Sequence, residues 1–236
     1  MGSLYSNALN LEETGLVQAL TSHRLDSQSD RRRFYDQVRL GPEQLVFCRQ
    51  VHGNKVEVIL QPSRPYPYPL PLAEADAIIT NQVDLAIAVF TADCIPIFIL
   101  DLCTCSIGIV HAGWRGTYKL ISAKAIQSMQ KHFGTKPVNC LVYLGVSIQQ
   151  SCYQVSQDLA DQFERHFGPD VRTSDNKLNL HFANIQQLVN VGVPFESISV
   201  SPLCTACRTD LFYSFRVERE STGRLISLIR LLPNSD

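Results

Sequence analysis

The chain has 236 residues, 45% of them hydrophobic and 18% charged, with a formal net charge of −1. That is enough apolar chain for a sizeable core, read as one domain over residues 1–236. The balance excludes the basic footprint of a nucleic-acid binder, and no apolar run approaches the roughly 18 residues of a membrane span.

Residues 1–40 read as polar and irregular until Arg31-Arg32-Arg33 opens an amphipathic helix toward Leu40, the arginines on its solvated face. The N-terminus lacks the basic start and apolar core of a signal peptide. Met1-Gly2 with Ser6 fits a myristoylation pattern only nominally, without a polybasic companion. Residues 44–50 and 55–60 alternate as two strands joined through Val51-His52-Gly53-Asn54, which puts His52 at a hairpin turn. The proline-rich 62–71 reads as an extended surface excursion. Further strands are expected at 75–80 and 85–90.

The runs 95–102 and 106–110 have the length and β-branched bias of buried strands. Paired, they carry the chain out from Cys94 and back to His111, 17 positions later (111 − 94). Helical spacing follows over 117–133, stopped by Gly134. A strand at 138–144, helices at 156–167 and 182–191, and strands at 198–201, 210–215 and 225–232 complete the pattern. Without regular βαβ alternation or an internal repeat, this is a mixed α/β domain with helices on sheet faces.

Three residues stand out as ligands: His52 at a turn, Cys94 and His111 at strand ends. Two imidazoles and a thiol match the three protein ligands of a catalytic zinc. Taken residue by residue, composition and spacing favour a buried thiol and hydrogen-bonded surface histidines over a ligand set. Ile95-Pro96 breaks the strand beside the thiol, and Ala112-Gly113 lets backbone approach a ligand closely. Asp93 reads as a turn residue rather than a ligand. Cys204-Thr205-Ala206-Cys207 is a CxxC without a second half, and reads as structural. The 8 cysteines, several inside apolar runs, suggest small buried hydrophobes in a reducing cytoplasm. Arg115, Arg216 and Arg224 occupy loop-like positions where a guanidinium can bind an anion. The P-loop, GxGxxG, HExxH and GxSxG motifs are missing.

Gln50-Val51-His52-Gly53, Ala75-Asp76-Ala77, Thr91-Ala92-Asp93-Cys94-x-Pro96 and His111-Ala112-Gly113-Trp114-Arg115-Gly116 together resemble the YfiH family. These are the laccase-domain proteins once called multicopper polyphenol oxidases. Leu144-Gly145-x-Ser147-Ile148-x-x-x-Cys152-Tyr153-x-Val155, Cys204-Thr205-x-Cys207, Phe212-Tyr213-Ser214-x-Arg216 and Thr222-Gly223-Arg224 extend the resemblance over about residues 40–232. It implies a layered α/β/β/α fold, shared with bacterial toxin deamidases, and a zinc held by His52, Cys94 and His111. It further implies phosphorolysis of adenosine, inosine, guanosine and methylthioadenosine, and deamination of adenosine. Cys94 and His111 are then the catalytic centre, with Arg115 and Arg216 as candidates to hold phosphate or ribose. The chain departs from the family at Val146, Gln154 and Val217, where proline, glutamate and arginine are usual, and lacks the opening arginine-bearing strand motif. Copper-dependent phenol oxidation and a non-catalytic member stand as alternatives.

Overall fold

Successive side chains on a strand point to opposite faces, so the uninterrupted apolar runs between 86 and 112 demand cover on both sides. The computed structural model, which describes residues 3–41, 44–61 and 70–233, supplies that cover as layers. The chain runs β1 (Tyr5–Asn7), α1 (Leu9–Glu12), β2 (Val17–Ser22), α2 (Gln28–Val38), β3 (Leu45–Phe47), β4 (Val56–Ile59), β5 (Ala77–Thr80), β6 (Ala86–Thr91), β7 (Ile95–Asp101) and β8 (Ser106–Ala112). It continues through α3 (Trp114–Tyr118), α4 (Ile121–Phe133), β9 (Cys140–Leu144), α5 (Gln157–Phe167), α6 (Leu180–Asn190), β10 (Ile198–Val200), α7 (Phe215–Glu218) and β11 (Leu225–Leu231).

The strands form a five-stranded sheet, β1-β2-β11-β6-β3, and a six-stranded sheet, β10-β9-β7-β8-β5-β4. Ile87, Val89 and Ile229 of the first sheet meet Phe98, Leu100, Ile107 and Ile109 of the second. On the far side of the second sheet, Ile95, Ile97, Ile99 and Val110 pack on Ile126, Met129, Phe163 and Leu188 of α4–α6. On the far side of the first, Leu20, Ala88 and Leu228 pack on Phe34 and Val38 of α2. The expected α/β/β/α layering is therefore present. Phe98 is wholly buried between the sheets, and its loss to alanine would cost about 3–5 kcal/mol.

Several local expectations change. The N-terminal 40 residues are not irregular: β2 pairs with β1 on one side and with β11 on the other. Arg24 stands just beyond β2, ion-paired to Glu218 at 2.7 Å. Helix α2 begins at Gln28, earlier than expected, because Ser27 and Asp30 form a reciprocal capping box. β3 and β4 are not a hairpin: β3 pairs with β6 in one sheet and β4 with β5 in the other, both parallel. His52 thus lies on a crossover between sheets. Pro96 does not break its strand, for β7 runs through it and Pro96 stands opposite His111.

The expected 117–133 helix is two, α3 and α4, separated at Leu120, which adopts φ +62°. Residues 210–215 form turns leading into α7 rather than a strand. The start of the nominal myristoylation pattern, Met1-Gly2, and residues 62–69 of the proline-rich stretch lie outside the described residues. No helix among the described residues is long and apolar enough to cross a membrane.

Candidate metal centre

β7 and β8 pair antiparallel with Ile95 opposite Ala112, so Cys94, immediately before β7, comes back beside His111. The crossover after β3 delivers His52 to the same end of the sheet. Ligand atoms of His52, Cys94 and His111 all lie within 4.8 Å of one another. The two imidazoles meet edge to face, with centroids 4.8 Å apart. His111 is buried, whereas His52 is exposed.

A single carboxylate holds this arrangement. Asp76, just before β5, accepts from the N–H groups of Val51 (3.3 Å), His52 (2.9 Å) and Gly53 (2.7 Å). It also accepts from His111 Nδ1 at 2.9 Å, and its carbonyl takes the His111 N–H at 2.7 Å. The crossover needs such fixing because His52 sits at φ +55°, a region a β-carbon disfavours. With Nδ1 committed to Asp76, Nε2 of His111 is the nitrogen left to meet a cation. Sequence reasoning assigned Asp76 no role; the signal it missed is an aspartate placed to gather loop amides.

Electrostatics reinforce the geometry. Burial alone would raise the Asp76 carboxyl, yet its bonds to His111 and the loop amides hold it below the usual carboxylate range. Burial would likewise raise the Cys94 thiol, but the charge and hydrogen bonds of His111 and His52 bring it down to about 6. Burial opposes protonation of His111, but Cys94 and Asp76 outweigh it and lift the imidazole to about 9. Without a cation the pair is a thiolate beside an imidazolium, and a metal ion can take the place of that proton.

Space is left for this. A β-carbon on Gly113 would lie 2.9 Å from Cys94 Sγ and 3.3 Å from His52 Cδ2. A β-carbon on Gly116 would stand 3.0 Å from the Gly53 carbonyl. These glycines let the start of α3 pass directly over the three ligands.

The ligands open onto a cleft of about 770 Å³ lined by the aromatics Phe90, Trp114, Tyr153 and Phe215 and the arginines Arg115, Arg216, Arg219 and Arg224. The Arg115 guanidinium lies 4.2 Å over the Trp114 ring. Arg216 lies 5.2 Å from the Tyr153 ring centroid and donates to the Gln154 carbonyl at 2.7 Å. The structure thus brings all five expected site residues, His52, Cys94, His111, Arg115 and Arg216, into one cleft. Asp93 is indeed a turn residue, at φ +86°. Its carboxylate accepts from Thr205 Oγ1 (2.6 Å), Ser214 Oγ (2.7 Å) and the Arg216 N–H (2.6 Å), so the residue beside Cys94 also anchors α7. Arg219 and Phe90 were not legible as cleft residues, since nothing local marks them, and Tyr153 stood in a motif block without an assigned role.

The profile of the family described as "Multi-copper polyphenol oxidoreductase laccase" matches residues 17–232, reaching further toward the N-terminus than the motif blocks do. A purine nucleoside phosphorylase, YlmD of Geobacillus stearothermophilus, is 31% identical over 216 residues, 87% of this chain and 79% of that protein. A protein named adenosine deaminase RL5, from an unknown prokaryotic organism, is 32% identical over 192 residues, 77% of this chain and 73% of its own. The crystal structure of Bacillus licheniformis hypothetical protein YfiH superposes with a TM-score of 0.86 at 26% identity, covering 98% of this chain and 97% of that one.

Proposed function

This chain belongs to the multi-copper polyphenol oxidoreductase laccase family, and we propose that within it the protein is a zinc-dependent purine nucleoside enzyme. The proposed reactions are phosphorolysis of adenosine, inosine, guanosine and methylthioadenosine, and deamination of adenosine. The names of the relatives point in this direction. The observation that carries the reading is one cleft shared by a His–Cys–His trio, arginines and aromatic rings.

The donor set fits zinc: two nitrogens and a sulfur, with the His111 tautomer fixed by Asp76 and room kept by Gly113. Zinc held by His52, Cys94 and His111 would supply Lewis acidity and an acidified water at an open position. The aromatic walls offer faces for a purine, and Arg115 and Arg216 offer forks for a phosphate dianion or the ribose. Asp76 keeps the His111 proton on Nδ1, and Asp93 fixes the backbone from which Arg216 reaches into the cleft. The 8 free cysteines suit a cytoplasmic enzyme.

A His₂Cys set also suits a single copper of the electron-transfer type. Among the described residues, however, the other trio of candidate ligands is all sulfur, which is no constellation for a multicopper oxidase. Incubation with adenosine, followed by chromatography, tests the proposal. Inosine should form without phosphate, adenine and ribose 1-phosphate should appear when phosphate is added, and both should vanish in Cys94→Ala. Unreacted adenosine from fully zinc-loaded protein would overturn it. Oxygen-dependent phenol oxidation that rises with copper would support the oxidase instead, and neither activity would mark a non-catalytic member.

A further inference from the structure

The CxxC at 204–207 does not stand alone. A parallel bridge between Ser147 and Cys204, with the Thr205 N–H donating to the Ser147 carbonyl at 3.1 Å, lays the 201–207 loop beside the loop after β9. That brings in Cys152, 52 positions earlier (204 − 152). The sulfurs of Cys152, Cys204 and Cys207 lie within 4.8 Å of one another, and Cys152 and Cys207 are 3.4 Å apart. In a zinc thiolate site with Zn–S bonds of about 2.3 Å, tetrahedral geometry places sulfurs ~3.8 Å apart. The trio's separations, 3.4 Å for one pair and none above 4.8 Å, bracket that spacing.

Packing does not account for the cluster, because Cys207 is exposed and Cys152 half-buried. Cys204 has the surroundings of a metal-knuckle thiolate. It is buried, and the Gln149 N–H donates to its sulfur at 3.4 Å.

We propose that Cys152, Cys204 and Cys207 form a second metal site, an all-thiolate one for a thiophilic d¹⁰ cation, zinc or copper(I). Soft thiolates select these ions. Among the described residues the group holds no fourth side-chain ligand, which leaves one position for water or an added thiol. The site would tie Cys152 to the 204–207 turn, and so fix the next two residues. Tyr153 lines the cleft, and the Gln154 carbonyl holds Arg216. An ion here would brace the cleft wall without touching substrate.

The test is metal content, independent of adenosine turnover. Protein equilibrated with zinc, or with copper(I) under argon, should hold two metal equivalents. One should remain after Cys94→Ala/His111→Ala, and one after Cys204→Ser/Cys207→Ser. Cobalt(II) added to the first double variant should give strong thiolate charge-transfer absorption, and Cys152→Ser should weaken it. In the wild type, a thiol reagent should label Cys152 and Cys207 faster after a chelator is added, which covers the case in which the serine variants do not fold. A folded Cys94→Ala/His111→Ala variant without zinc or copper would overturn the proposal. So would labelling indifferent to the chelator, or a Cys152–Cys207 disulfide in protein kept under argon.

Discussion

Two trios of ligand-type side chains flank the Tyr153–Gln154 wall, and they are built differently. His52, Cys94 and His111 sit on a crossover and two strand ends, gathered by the buried carboxylate of Asp76. Cys152, Cys204 and Cys207 sit on two loops joined by backbone bonds, with amides pointing at sulfur. The first opens onto arginines and aromatic rings; in the second Cys207 is exposed, Cys152 half-buried and Cys204 buried. Imidazole, whose proton can be steered by a carboxylate behind it, suits a centre that handles substrate. Thiolates steadied by main-chain N–H groups suit an ion that holds chain segments together.

That contrast breaks most sharply under ligand removal. Cys94→Ala should lower adenosine turnover by more than about 100-fold, beyond the usual effect of losing a group behind the ligands. Cys207→Ser should act chiefly on the Michaelis constant for phosphate, through Arg216. Equal losses of turnover in the two variants would erase the distinction. The next largest effect is expected from Asp76→Asn, which keeps the shape but removes the charge. Zinc affinity at the His–Cys–His trio, read by chelator competition, should fall by about 10–100-fold. An unchanged affinity would mean that Asp76 only shapes the loop.

Arg216→Lys should raise the Michaelis constant for phosphate about tenfold, ~1.4 kcal/mol, because a point charge replaces a fork. Its adenosine deamination without phosphate should change less, and equal loss in both reactions would argue for misfolding of α7. The smallest effect sharpens the comparison through pH. Between about 6 and 9, the metal-free Cys94–His111 pair is a thiolate with an imidazolium, so each zinc bound releases one proton from His111. Affinity should therefore rise about tenfold per pH unit there and level off above pH 9, once His111 is neutral. At the thiol trio it should go on rising past that point, because Cys207 keeps its proton to about 12. Indicator-dye titration of the released protons, with each trio deleted in turn, reads both.

Much of the second sheet was legible locally. The 95–112 region alternates onto two faces and has turn residues at its ends, so β7, β8 and the meeting of Cys94 with His111 follow from pattern alone. Helices α5 and α6 were visible for the same reason, their N-termini capped by Ser156 and Asn179. The aromatic-rich 210–215 misled because its order comes from elsewhere: Ser214 is held by Asp93 and by Glu218. β2 was invisible as a strand because one of its two neighbours is the far end of the chain, with Thr21 opposite Ser227, and the other is the three-residue β1.

The sequence by itself determined a mixed α/β domain with helices on sheet faces, the central hairpin and the residue types able to bind a cation, since these depend on periodicity and side-chain chemistry; the α/β/β/α layering was implied only by the family resemblance. Only the tertiary structure decided that His52 crosses between sheets under Asp76, that Asp93 delivers Arg216 to the cleft, and that Cys152 completes the CxxC. Each of these joins residues far apart in the chain, through hydrogen bonds and strand pairings whose partners leave no periodic trace in the residues between them.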